Sequence, residues 1–116
     1  MIPAKLALEP FSEGDDWDGI PAITITINHA APAVAMGSVT MRFRQTGVTK
    51  PTIVELSSGT PSQIAILDAA VWNFQIPVQP IPELTAGRWM WRLRITDAVG
   101  RKRTYLADEI VVLENI

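Results

Sequence analysis

Cysteine is absent from the chain and histidine occurs once. The first absence excludes disulfide scaffolds, thiolate zinc sites, iron–sulfur clusters and a cysteine nucleophile. The second excludes metal centres built from several histidines. No run approaches the roughly 18 consecutive apolar residues that a membrane-spanning helix requires. The first ten residues are interrupted by Lys5 and Glu9, too polar for a secretory signal, so synthesis in a cytoplasm is expected and a membrane partner is not. Charge is sparse as well. Ten basic residues stand against 12 acidic ones, a net charge of −2 that exerts no global pull on nucleic acid. What remains is one domain's length, residues 1–116, with 47% apolar residues, enough to bury a core.

The apolar residues that are present favour strands. Val, Ile and Thr together make up 32 of the 116 residues, and side chains branched at Cβ suit a pleated sheet better than a helix. Apolar and polar residues alternate in three clear runs, each the mark of a strand with one buried face. Ile23 to Ile27 reads Ile-Thr-Ile-Thr-Ile. Val39 to Arg44 places Val39, Met41 and Phe43 on one face and Thr40, Arg42 and Arg44 on the other. Trp89 to Thr96 separates Trp89, Trp91, Leu93 and Ile95 from Met90, Arg92, Arg94 and Thr96. Weaker strands are expected at Lys5–Glu9, Thr52–Leu56 and Val71–Ile76. A further short one is expected at Ile64–Leu67, and a long last one at Arg103–Leu113, whose alternation slips near Ala107-Asp108-Glu109 as at a β-bulge.

Turn residues separate these runs. Asp97-Ala98-Val99-Gly100 predicts a hairpin turn with Gly100 in the left-handed region. Asn28–Gly37 reads as a long loop, and Pro77–Gly87 as a crossover between sheets. The expected fold is therefore all-β: an immunoglobulin-like two-sheet β-sandwich of seven to eight strands. Its large core members would be Phe43, Trp72, Phe74, Trp89 and Trp91.

Catalytic chemistry finds no footing, and no enzyme is expected. His29 lies in an Ala/Pro loop with no neighbouring Asp, Ser or Cys, and no glycine-rich phosphate loop occurs. The acidic stretch Glu13, Asp15, Asp16, Asp18 fails the test for a calcium loop. With Gly19 as the central glycine, Gly14 and Ile25 fall on ligand positions. No cofactor or metal is expected.

Charge is, however, unevenly placed. Residues 1–20 carry a balance of −4 and residues 88–103 one of +5. Arg42, Arg44, Arg92 and Arg94 all alternate away from the core. In neighbouring strands they would stud one outer face, suited to carboxylate partners. The acidic loop Glu13, Asp15, Asp16 and Asp18 is then a docking element, and one copy's loop could meet another's arginine face head to tail. A single-strand nucleic-acid platform is not expected, because the aromatics fall on the opposite face from the arginines. Trp17, in the polar loop, offers an alternative function: a small carbohydrate-binding module stacking a sugar on that ring. The competing expectation is that Trp17 forms a lid over one open end of the sandwich.

The stretch from Leu84 to Leu113 has an ordered set of features. Leu84 and Gly87 precede the aromatic strand Trp89–Thr96, then come Asp97, the turn at Gly100 and a last strand ending Ile110-Val111-Val112-Leu113. It resembles the N-terminal immunoglobulin-like domain of phage baseplate upper proteins and small stand-alone relatives in tailed-phage structural clusters. Gly14-Asp15, the strand Ile23–Ile27 and Val39–Arg44 follow that family's order upstream. Trp stands where the family has Tyr in the alternating strand, and Ala107-Asp108 where a glycine is common. The resemblance implies a non-catalytic structural protein or adaptor of the tail, baseplate or fibre. It would be made in a bacterial host's cytoplasm and carried in the virion, with other virion proteins or its own copies as partners.

Overall fold

The computed structural model describes residues 3–27 and 29–115. Among them there is no helix, and eight strands follow in order: β1 (Phe11–Ser12), β2 (Ile20–Thr24), β3 (Met36–Gln45), β4 (Ile53–Ser57), β5 (Ala65–Asp68), β6 (Asn73–Ile76), β7 (Gly87–Asp97) and β8 (Lys102–Leu113). They form a five-stranded sheet of order β1-β8-β7-β3-β4 and a three-stranded sheet of order β2-β6-β5. The fold is β-sandwich-like and all-β. One apolar core spans both sheets, from Met41, Phe43, Trp89, Trp91 and Leu93 of the larger to Ile20, Phe74 and Ile76 of the smaller. Each of the five large residues expected inside is buried, Trp72 included. Buried aromatics remove roughly 150–250 Å² each from water. With no cysteine to cross-link them, the sheets are held together by this apolar packing.

The alternation in β3 and β7 places side chains as it predicts. Val39, Met41 and Phe43 point inward and pair with Ile95, Leu93 and Trp91. The hairpin after β7 also closes as expected. Gly100 takes φ +91° and donates its N–H to Asp97 O at 3.0 Å, while Asp97 Oδ1 accepts from the N–H groups of Val99 and Arg101. The Pro77–Gly87 segment does cross from one sheet to the other.

Elsewhere the pattern misplaces strands. The run Ile23–Ile27 shifts to Ile20–Thr24 because the partner strand β6 begins only at Asn73, opposite Thr24. Ile25 and Ile27 continue the rhythm without a ladder. Lys5–Glu9 is not a strand. Ala4 alone bridges Leu106, Pro10 has no N–H to give, and β1 begins at Phe11, parallel to β8. The short strand at Ile64–Leu67 moves to Ala65–Asp68, and that at Val71–Ile76 begins two residues later because Trp72 takes φ +55°. The bulge of β8 lies at Tyr105, the residue skipped between Leu106↔Leu93 and Thr104↔Arg94, and not at 107–109. Asp108 keeps inward register opposite Trp91. A polar residue on the inner face, not an extra residue, produced the apparent slip.

Candidate arginine face

The outer face of the five-stranded sheet brings the four predicted arginines together. β3 and β7 are antiparallel neighbours, and their register sets Arg42 directly opposite Arg92. Arg94 lies across from Thr40, and Arg44 across from Met90. Two like charges at one cross-strand position repel, and sheets normally avoid the arrangement. Neutralisation is partial. Arg42 donates from Nε (3.1 Å) and Nη2 (2.9 Å) to Glu55 Oε2 on β4. Arg88 approaches Glu109 at 3.6 Å. Both pairs are largely exposed and contribute little to stability. Arg44, Arg92 and Arg94 have no carboxylate partner among the described residues.

Between the guanidinium groups lies a shallow depression of about 290 Å³ lined by Arg42, Arg44, Arg92, Ile53, Met90 and Ala107. Ile53 is 52% exposed and Met90 44%. This apolar floor was not singled out from sequence. Met90 lies between buried Trp89 and Trp91, and Ile53 beside half-buried Val54, which signals their outward direction. Only the register of β3, β4 and β7 reveals that they flank Arg44, one on each side.

The acidic residues are not part of this face. They follow β1, at the end where β7 begins and β8 finishes. Glu13 is half-buried and Oε2 accepts the Ala86 N–H at 2.9 Å, which pins the loop to the crossover segment. Asp15, Asp16 and Asp18 are exposed. No group of three potential metal ligands occurs among the described residues, and His29 is exposed in its loop at φ +64°.

Trp17 corrects the sugar-stacking expectation. It is 3% exposed, its backbone exchanges two hydrogen bonds with Gln79 at 2.8 Å, and its ring meets Phe43 edge-on at 5.5 Å. Both ring faces are spent on the core, so it closes this end of the molecule as a lid and offers no face to a glycan.

The opposite end holds a second concavity that the sequence reading passed over, beside Trp72 and Tyr105. Its one signal in the sequence is the Arg101-Lys102-Arg103 run next to the chain's single tyrosine. No protein-family model, curated protein or solved structure matches the chain.

Proposed function

We propose that the chain is a non-catalytic structural module of a phage or prophage virion, a tail, baseplate or fibre-associated assembly protein that docks through the outer face of its five-stranded sheet. The observation that carries the docking is the Arg42–Arg92 cross-strand pair, with Arg44, Ile53 and Met90 on one side of it and Arg94 on the other. Within the folded chain this pairing is unfavourable, and exposing large apolar side chains beside it adds nothing to stability. Both features become favourable against a partner that brings carboxylates to the guanidinium groups and covers the apolar floor. The virion assignment rests on the resemblance of residues 84–113 to the baseplate domain family.

An immunoglobulin-like topology belongs to the same reading. The strand order supports it. β2, β6 and β5 form one sheet and β3, β7 and β8 are consecutive neighbours in the other, as strands B, E, D and C, F, G are in that fold.

The partner is another virion protein or a second copy presenting Glu13, Asp15, Asp16 and Asp18. Sedimentation velocity at about 50 mM and about 500 mM salt tests the second-copy arm, since exposed charges are screened within about 10 Å at 0.1 M. Salt-sensitive association that Arg92→Glu abolishes supports it, and a monomer at every salt concentration removes it. Mass spectrometry of purified particles of the encoding phage tests the virion role, and absence of the chain from particles overturns it.

A further inference from the structure

The end of the molecule opposite Trp17 carries a recess of about 390 Å³ that the arginine face does not use. One wall is the loop 31–34, apolar throughout. The other is built from Asp97, Arg101, Arg103 and Tyr105, and Trp72 also lines it. The volume falls at the lower end of the roughly 300–1,000 Å³ typical of small-molecule sites, room for a ligand of about one ring.

Three features set this recess apart from an ordinary gap between loops. First, Arg101 and Arg103 are exposed and neither pairs with a carboxylate among the described residues. The nearby Asp97 is engaged by its own turn, Oδ1 accepting from the Val99 and Arg101 N–H groups at 3.0 Å each. The recess therefore keeps a surplus of one positive charge. Second, the β8 bulge takes Tyr105 out of the ladder and turns it toward Trp72, the two rings meeting edge-on at 5.2 Å. Bulges recur where a strand must re-aim a side chain at a site. Third, Trp72 holds φ +55°, a region that a bulky side chain rarely adopts, and its Nε1–H donates to Val34 O at 2.7 Å. That bond ties the apolar wall to the β5–β6 hairpin, so the recess is formed before any ligand arrives. Strained backbone of this kind concentrates at ligand clamps.

We propose that this recess binds a small carboxylate with an apolar body. Arg101 and Arg103 receive the carboxylate, whose planar geometry matches the guanidinium fork, and the 31–34 wall with Tyr105 covers the body. A carboxylate fits better than a phosphate ester because one surplus charge matches a monoanion, while the Asp97 carboxylate opposes a dianion.

The test is a titration of the full ¹⁵N-labelled chain with benzoate, phenyl phosphate and benzyl alcohol, followed by amide and indole signals. Benzoate is expected to shift the amides of residues 31, 33, 34 and 101–105 and the Trp72 indole saturably. Phenyl phosphate should bind more weakly, and benzyl alcohol should leave those signals in place. Arg101→Gln or Arg103→Gln should weaken benzoate at least about tenfold, with the unliganded spectrum still dispersed as in the parent. Arg92→Gln on the outer face should bind as the parent does, so this site and the docking face stand or fall separately. No shift up to about 10 mM benzoate, where even millimolar affinity is visible, overturns the proposal. So do parent-like binding of benzoate by both end variants, shifts confined to the outer face, and tighter binding of phenyl phosphate.

Discussion

Trp89 and Trp91 sit two residues apart on one inner face, yet their indole N–H groups are treated differently. Trp89 Nε1 donates to Thr85 O at 2.9 Å, while Trp91 Nε1 is buried with no partner among the described residues. A buried donor left unpaired costs free energy, whereas removing it with its ring edge restores some of that cost. Trp89→Phe is therefore expected to destabilise the fold more than Trp91→Phe, by about 1 kcal/mol. Urea midpoints of the two variants check this, and equal losses would mean that the Trp91 N–H finds an acceptor in solution. Glycine offers a second contrast. Gly19 takes φ +74°, and a Cβ there would lie 2.0 Å from Ile76 O, whereas Gly47 takes φ +75° with nothing within 4 Å. Gly47→Ala should cost only the backbone strain, about 1–2 kcal/mol. Gly19→Ala must also push the β2 entry off β6, for a loss of about 2–4 kcal/mol. Similar thermal denaturation midpoints for the two variants would contradict the close approach of these strands.

β3 and β7 show what an element contributes beyond its residues. Each alternates cleanly, and each has a buried inner face. The unfavourable Arg42–Arg92 encounter arises only from their pairing. Replacing Arg92 by Glu puts an opposite charge across from Arg42 and beside Arg94, so Arg92→Glu is expected to stabilise the isolated chain by about 0.2–1 kcal/mol. Chemical denaturation measures it. A destabilised Arg92→Glu would remove the argument that this face gives up stability for docking. The same two strands explain how much was legible in the sequence. Where a strand has partners on both sides, as β3 does from Thr40 to Arg44 and β7 from Trp89 to Thr96, every second residue meets the core and the rhythm reports the strand. At the periphery the rhythm outlasts the ladder. Ile25 and Ile27 alternate correctly beyond the point where β6 begins opposite Thr24, and Leu6 and Leu8 pack against the core from a segment that is not a strand. Asp108 shows the reverse case, a polar residue in inward register that mimicked a bulge actually located at Tyr105. The arginine face could be anticipated because it depends on two well-patterned strands. The end recess could not, since it joins a loop, a hairpin and a bulge that no local pattern connects.

The whole molecule, 47 × 26 × 23 Å, is longer than it is thick, and its two sheets are unequal. The smaller has strands of five, four and four residues, with register irregularities in both of its pairings. Three such short strands hold too few hydrogen bonds and too little apolar area to persist alone. Their stability must come from the larger sheet, and the tryptophans supply the links. Trp17, just before β2, packs on Phe43 of β3 at one end. Trp72, just before β6, packs on Tyr105 of β8 at the other. With both ends fastened across the core, neither sheet can open without exposing an indole that the opposite sheet covers. Unfolding is therefore expected to be a single cooperative transition, in which all four indole N–H signals lose native intensity at one urea midpoint. If the Trp72 signal disappeared well before those of Trp89 and Trp91, the three-stranded sheet would be a separate, weaker unit. In that case the recess beside Trp72 would open with it. Ligand binding there would then raise the midpoint of the Trp72 signal alone, whereas in a cooperative fold it would raise all four together.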